Sequence, residues 1–174
     1  MKPNSEVVPR SVPSVVNGVV FAFYQAESPE QIASIRELFL EYAQSLGFSL
    51  CFQDFDQELA TLPGDYAPPR GRLLLAEFEN RPAGCVALHK LDSEICEMKR
   101  LYVRPEFRGK GLGKILAETI VAEARQIGYK QLRLDTVEPV MRTAVAMYRT
   151  LGFSEIAPYR PNPIDGALYM EIKL

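Results

Sequence analysis

Hydrophobic residues change their spacing several times along this chain, and each spacing predicts a type of element. An alternating run over residues 19–25 predicts a first strand. A helix should follow it, with Ser28 as N-cap, Pro29 in the first turn, Gln31 completing a capping box and Gly47 at its end. Its apolar face consists of Ile32, Ile35, Phe39, Tyr42, Ala43 and Leu46. A second, short helix is expected over residues 53–62.

The remaining pattern predicts a mixed sheet. Runs rich in β-branched and aromatic residues at 72–78, 83–89 and 95–103 indicate a three-stranded meander. A long helix up to Gly128, a strand over 131–137, a helix over 140–151 and strands over 154–159 and 167–173 follow. The order is β-α-α-β-β-β-α-β-α-β-β, which indicates an α/β fold whose central mixed sheet is flanked by helices, with one right-handed βαβ crossover.

The length favours a single domain, because domains most often contain roughly 100–150 residues and this chain has 174. Residues 1–17 are rich in Pro, Ser and Val without periodicity, so we expect a flexible N-terminal arm there and one domain over residues 18–174. No secretory signal or apolar run of roughly 20 residues is evident, which favours a cytoplasmic protein without membrane contact.

Composition excludes several classes of function. A net charge of −2 argues against nucleic acid as a partner. Three scattered cysteines, Cys51, Cys85 and Cys96, argue against a disulfide framework, and with His89 as the one histidine a metal site is not expected. We interpret His89 as a residue near a strand end rather than as a base.

The stretch from Glu97 to Lys114 carries the strongest chemical signal. A predicted strand leads through a turn into three alternating glycines, Gly109, Gly111 and Gly113, at the start of a helix. Free backbone N–H groups and the helix dipole make such a terminus a site for phosphate, and neighbouring cations reinforce it. The glycine spacing fits neither a Walker A loop nor a Rossmann fingerprint.

The spacing resembles the pyrophosphate-binding motif of the GNAT family of N-acetyltransferases, R/Q-x-x-G-x-G/A, met by Arg108, Gly111 and Gly113. A second family signature, A-x-x-x-Y-x-x-x-G-F, is met by Ala144, Tyr148, Gly152 and Phe153. The resemblance covers residues 19–174 and implies the acyl-CoA N-acyltransferase fold with acetyl-CoA as cosubstrate and no metal. The residues it implies for the cofactor are Leu101, Tyr102, Val103, Arg108, Gly109, Lys110, Gly111, Leu112, Gly113, Lys114 and Thr143.

One position departs from the family pattern. Many relatives carry Asn three residues before the alanine of the second signature, where this chain has Met141. A thioether cannot replace the hydrogen bonds of an amide, so Thr143 is the candidate for the missing contact with the pantetheine arm.

Two residues are candidates for the proton transfers of acetyl transfer to an amine. By resemblance, Tyr148 is the general acid that protonates the leaving thiolate; the alternative is an aromatic residue on a half-buried helix face. Glu97 is the candidate base, on the strand face that alternation assigns to Lys99, Leu101 and Val103. The alternative is a structural ion pair with Lys99, which would lower the pKa of Glu97.

The acceptor is the least constrained part of the prediction. Two proline-stiffened segments, residues 62–71 and 158–163, carry Tyr66, Arg70 and Arg160 as candidate substrate residues. Two converging arginines would clamp a carboxylate, which favours a small amine such as an amino acid; the alternative is that both arginines are solvated. Two alternative functions are an acetyltransferase that acts on a protein N-terminus or lysine, and a non-catalytic acyl-CoA sensor. The sequence is also compatible with a homodimer.

Overall fold

Eight strands form one mixed sheet in the computed structural model, which describes residues 12–174. The strands are β1 (Val12–Val16), β2 (Val19–Gln25), β3 (Arg72–Phe78), β4 (Arg81–Lys90), β5 (Ile95–Val103), β6 (Gln131–Val137), β7 (Ser154–Glu155) and β8 (Ala167–Lys173). Their spatial order is β1-β2-β3-β4-β5-β6-β8-β7. Neighbours pair antiparallel except β5 and β6, which are parallel and joined by the predicted helical crossover.

Four helices cover the two faces of this sheet: α1 (Pro29–Ser45), α2 (Phe55–Thr61), α3 (Leu112–Ile127) and α4 (Arg142–Thr150). One hydrophobic core contains the inner faces of α3 and α4, and the other contains those of α1 and α2. The predicted capping box opens α1: Ser28 Oγ accepts the Gln31 N–H at 3.2 Å, and Gln31 Oε1 accepts the Ser28 N–H at 3.2 Å. The sequence of predicted elements and the mixed sheet are thus confirmed.

Several element boundaries differ from the expectation. β7 ends at Glu155, and α2 begins at Phe55 because residues 51–53 form a separate 3₁₀ turn. Of the expected flexible arm, residues 1–11 lie outside the described residues, while Val12–Val16 pair with β2. The Asn17-Gly18 turn between them has φ angles of 48° and 80°, as a two-residue hairpin requires. The Asn-Gly dipeptide is the feature of the sequence that indicates this hairpin.

The sheet divides between β5 and β6. These two strands pair only over Ile95–Glu97 and Gln131–Arg133, although β5 continues to Val103 and β6 to Val137. A bulge interrupts the β4–β5 register, and Arg100 takes a φ of +57° there. The bulge leaves Lys99 and Arg100 on the α1/α2 face and returns Leu101 and Val103 to the α3 face.

The bulge places an arginine in the interior. Arg100 is only 4% exposed, and its guanidinium lies 5.1 Å from the ring centroid of Phe55. Its NH2 contacts Glu58 Oε2 at 2.5 Å, and its NH1 donates to Gln53 Oε1 at 2.9 Å. Burial alone would raise the pKa of Glu58, but the hydrogen bonds and charge of Arg100 outweigh it and lower that pKa. Glu58 therefore neutralises a buried charge and fastens α2 to β5.

Replacing Glu58 by alanine should destabilise the fold strongly, because the Arg100 charge would stay buried without its partner. We expect a loss of about 3–5 kcal/mol in the free energy of unfolding. Urea unfolding followed by circular dichroism measures it, with the exposed neighbour Gln57→Ala as the matched control. A loss no larger than that of the control would contradict the assigned role of the pair.

The same pair predicts a pH dependence. Because the pKa of Glu58 is lower in the folded than in the unfolded chain, its stabilisation is fully present above the unfolded value, near 4.5. It is lost as the pH falls through the folded value. The difference in stability between the wild type and Glu58→Ala should therefore shrink below pH 4.5, and a constant difference down to acid unfolding would argue against the ion pair.

Candidate active site

The turn before α3 is built to receive an anion. Gly109 and Gly111 have φ angles of 73° and 84°, which glycine adopts without strain, and Gly111 is the N-cap of the helix. Within the described part of the chain, no backbone N–H from Gly109 to Lys114 donates a hydrogen bond. These free donors, the dipole of a sixteen-residue helix and the guanidinium of Arg108 all favour negative charge at this point.

A cleft of about 690 Å³ runs along this turn, and we call it the α3 cleft. The residues that were expected to bind the cofactor and that line it are Leu101, Val103, Arg108, Gly109, Gly111, Leu112, Gly113, Lys114 and Thr143. Sequence reasoning missed Phe107, Val140, Ala144 and Met147, which also line it. The helical spacing of the apolar residues of α4 indicated which of them face inward. It could not indicate that they face the α3 cleft, because that depends on how α4 packs in the tertiary fold.

Two expected cofactor residues do not line this cleft. Tyr102 lies on the opposite face of β5, where its ring centroid is 6.2 Å from that of Tyr42. Lys110 turns back toward the preceding loop, and its Nζ donates to the carbonyl of Glu106 at 3.0 Å. Side-chain contact of either residue with a ligand in the cleft is therefore not supported.

Met141, the departure from the family pattern, lies at the N-cap of α4 and lines the α3 cleft together with Thr143. Its sulfur accepts a hydrogen bond from Thr136 Oγ1 at 3.2 Å. The thioether is thereby tied to β6, and the Thr143 hydroxyl remains a polar group at that wall of the cleft.

A second, smaller cavity of about 60 Å³ fills the opening between β5 and β6, and we call it the strand-gap cavity. It shares Leu101, Met141 and Ala144 with the α3 cleft. Tyr148 lines it and is only 7% exposed, with its ring centroid 5.7 Å from that of Phe153. Burial raises the pKa of the Tyr148 phenol, so the hydroxyl stays protonated and available as a donor.

Glu97 is fully buried and lines neither the α3 cleft nor the strand-gap cavity. Its carboxylate lies 3.3 Å from His89 Nε2, accepts the Tyr159 hydroxyl at 3.0 Å and contacts Arg160 NH2 at 2.8 Å. Burial would raise its pKa, yet the hydrogen bond with His89 and the charge of Arg160 prevail and lower it. The geometry supports the structural alternative for Glu97, although its close partners are His89, Tyr159 and Arg160 rather than Lys99.

The prediction that Glu97, Leu101 and Val103 lie on one face of β5 is wrong. Strict alternation fails at the Arg100 bulge, so Glu97 lies on the α1/α2 side and the other two residues lie on the α3 side.

A third cavity of about 280 Å³ lies between α2 and β4, and we call it the α2 cavity. The candidate Tyr66 lines it, and its hydroxyl donates to Glu58 Oε1 at 2.6 Å. His89 and Lys99 also line it, and Lys99 lines the strand-gap cavity as well. His89 lies one residue before the end of β4, as predicted, and it also forms part of the wall of this cavity.

The structure does not support a carboxylate clamp formed by Arg70 and Arg160. The guanidinium of Arg160 bridges Asp135 and Glu97, so two carboxylates already neutralise it. Arg70 is exposed and lines none of the three cavities, and its carbonyl accepts the hydroxyl of Tyr129 just beyond α3. The prediction failed because the partners of Arg160 come from β5 and β6, far away in sequence.

Two further observations concern residues 12–174. They contain no group of three or more His, Cys, Asp and Glu side chains arranged to hold a metal ion. None of their helices has the length and apolar character needed to cross a membrane. The cytoplasmic location stays a prediction.

Comparison with known proteins identifies the relatives of this chain. Residues 32–153 match the Acetyltransferase (GNAT) family. An uncharacterised N-acetyltransferase of Schizosaccharomyces pombe is 40% identical over 148 residues, which cover 84% of this chain and 90% of the relative.

Solved structures show the same fold. A GNAT-family acetyltransferase of Staphylococcus aureus aligns with a TM-score of 0.74 at 18% identity, covering 88% of this chain and 98% of that one. A GNAT-family acetyltransferase of Elizabethkingia anophelis with acetyl-CoA bound aligns with a TM-score of 0.55 at 23% identity, covering 70% of this chain and 82% of that one.

Substitution of Gly111 tests the anion site. Gly111→Asp should abolish acetyl-CoA binding, because the side chain adds bulk and negative charge beside the free N–H groups. Gly111→Asn is the matched control, since it adds the same bulk without charge and Asn tolerates a positive φ. Calorimetric titration should show weakened binding for Asn and none for Asp. If a folded Gly111→Asp protein bound acetyl-CoA with wild-type affinity, the turn before α3 would not be the binding site.

Proposed function

Because this chain belongs to the acetyltransferase (GNAT) family, we propose that it transfers the acetyl group of acetyl-CoA to the primary amine of a small molecule. The proposal includes direct transfer, with donor and acceptor bound together in a ternary complex. Membership of the family supports the reaction class and the cosubstrate. The arrangement of the three cavities supports a small-molecule acceptor and direct transfer.

The observation that carries the proposal is that the three cavities adjoin one another. The α3 cleft shares Leu101, Met141 and Ala144 with the strand-gap cavity, which in turn shares Gln53 and Lys99 with the α2 cavity. A donor lying in the α3 cleft and an acceptor lying in the α2 cavity would meet at the gap between β5 and β6. The volume of the α2 cavity, about 280 Å³, suits a small molecule.

The residues of the α3 cleft fit acetyl-CoA. The N–H groups between Gly109 and Lys114 match a pyrophosphate, and Arg108 adds a cation. On the side facing β6, the backbone of β5 beyond Glu97 has no strand partner, so it is free to pair with an extended amide-containing arm. When bound, the cosubstrate supplies a thioester whose carbonyl carbon accepts an amine and whose thiolate departs.

Direct transfer is supported by the positions of the cysteines. Cys51, Cys85 and Cys96 line none of the three cavities. Burial raises the pKa of the Cys96 thiol to about 12 and raises that of Cys85 further, which keeps both in the unreactive thiol form. None of the three is placed to carry the acetyl group.

Within this proposal, Tyr148 is the general acid and Glu97 is a positioning residue. The phenol of Tyr148 lines the strand gap and donates its proton to the departing thiolate. Glu97 has no access to a substrate, but its carboxylate fixes His89 on one side and Tyr159 and Arg160 on the other. It thereby orients groups around the acceptor side of the gap.

Turnover of a panel of amines tests the function. We expect thiol release from acetyl-CoA to accelerate with at least one small amine in a panel containing polyamines, amino acids, amino acid amides and aromatic amines. Acetylated product identified by mass spectrometry establishes transfer. Binding of acetyl-CoA without turnover on this panel or on peptides would instead indicate a non-catalytic sensor, and turnover on peptides alone would indicate a protein acceptor.

The role of Tyr148 has its own test. Tyr148→Phe keeps the ring and removes the hydroxyl, so kcat should fall by about 10²–10⁴-fold with little change in acetyl-CoA affinity. Tyr24→Phe, a change on β2 away from the three cavities, is the matched control. Steady-state kinetics and calorimetry separate the two quantities. Wild-type kcat in Tyr148→Phe would make Tyr148 a packing residue.

A further inference from the structure

Lys99 has a position that the proposed mechanism does not yet use. Lys99 lines both the strand-gap cavity, with Tyr148, and the α2 cavity, with Tyr66 and His89. Lys99 and Gln53 are the residues that these two cavities share. Lys99 therefore lies where the expected positions of the donor thioester and the acceptor adjoin.

The charged groups around Lys99 are mostly committed to one another. They come from β4, β5, β6, α2 and the segments beside these elements, and they comprise Glu97, Arg100, His89, Glu58, Asp54, Asp65, Asp135 and Arg160. Elements α1 and α4 contribute the titratable phenols of Tyr42 and Tyr148. Glu58 pairs with Arg100, and Arg160 bridges Glu97 and Asp135. Within residues 12–174, Lys99 makes no salt bridge of its own. An acidic partner that would hold it permanently charged is thus missing from the described structure.

The surroundings favour the neutral amine. Burial, and next the positive charge of Arg100, lower the pKa of Lys99 to about 8, against partial opposition from Glu58 and Glu97. An ordinary lysine titrates near 10.4, so this side chain holds far more neutral amine at physiological pH than a surface lysine does.

We propose that Lys99 is the general base of the acetyl transfer. The neutral Nζ of Lys99 takes a proton from the acceptor nitrogen as that nitrogen forms its bond to the acetyl carbon. The carbon–sulfur bond breaks and the thiolate receives the proton of Tyr148. Lys99 then releases its proton to solvent through the α2 cavity and Tyr148 takes one proton back from solvent, so both groups return to their starting forms. This assignment rests on the proposed function, because it names the residue that performs one step of it.

The other candidates for the base are placed less well. Glu97 has no exposed atom, and its oxygens contact three side chains. His89 lines only the α2 cavity, and its Nε2 lies 3.3 Å from the Glu97 carboxylate. Lys99 alone among these three lines the strand gap, where the new bond must form.

A labelling experiment tests the amine without an acceptor or a variant. Acetic anhydride acetylates neutral amines, so trace labelling of the native protein at a series of pH values, followed by peptide mass spectrometry, titrates each lysine. Lys99 should reach half-maximal labelling near pH 8, well below the value near 10.4 that is usual for a lysine. Half-maximal labelling of Lys99 only near that usual value, or no labelling of Lys99 at any pH, would overturn the assignment.

Kinetics then test the proton transfer itself. The acceptor is the best small amine of the panel whose own pKa lies below 7, so that its ionisation does not shape the profile. In the wild type, kcat/KM should rise with pH through about 8, because Lys99 must be neutral to act. Lys99→Met should lower kcat/KM by about 10²–10⁴-fold and remove that inflection. Lys90→Met is the matched control and should behave as the wild type.

Lys99→Arg separates a base from a positive charge. Arginine keeps the charge and length but does not accept a proton at these pH values, so it should be as inactive as Lys99→Met. Recovery of activity in Lys99→Arg, or an inflection near pH 8 that persists in Lys99→Met, would overturn the assignment. Calorimetric affinity for acetyl-CoA should be unchanged in both variants. If the wild type acetylates no amine, the proposed function itself is wrong. If both the wild type and Lys99→Met are active, only the assignment of Lys99 as the base is wrong.

Discussion

The divergence of β5 from β6 is the constraint on which the site depends. A parallel pair that stayed hydrogen-bonded over its whole length would close the sheet and consume the backbone groups of residues 98–103. Here pairing stops at Glu97 and Arg133, and the opening is lined by side chains of α4 and both strands. Since each half of the sheet keeps its other neighbour, β4 or β8, the opening costs few hydrogen bonds. The sheet can therefore hold a cleft through its centre without losing either half.

Charged side chains hold the divided halves together on the α1/α2 face. Arg160, from the segment after β7, bridges Glu97 of β5 and Asp135 of β6, and Asn162 donates to the same Asp135 at 3.1 Å. On the same face, the buried pair of Arg100 and Glu58 attaches α2 to β5. The pKa values of Glu97 and Glu58 are lowered, and Asp135 is paired with Arg160, so these carboxylates act as charged structural groups. The groups left free to exchange protons are those without such partners.

The sequence supported the elements and the anion site because both are local. The Ser28 capping box, the glycine spacing before α3 and the apolar face of α1 each depend on residues a few positions apart. The Arg100 bulge has no such local signal, and it reversed the face assigned to Leu101 and Val103. The partners of Arg160 and the position of Lys99 depend on contacts between distant strands, so periodicity alone could not have predicted them. The Asn17-Gly18 hairpin was predictable from its turn chemistry and was overlooked.

One physical effect prepares the two proposed proton-transfer groups in opposite senses. Removal from water disfavours the charged form of any group, so it raises the pKa of the Tyr148 phenol and lowers that of the Lys99 amine. The neutral phenol is the form that donates a proton, and the neutral amine is the form that accepts one. Both side chains line the same small cavity between β5 and β6. Burial at a single opening in the sheet thus favours the acid form of one residue and the base form of the other, and for Lys99 the charge of Arg100 acts in the same direction.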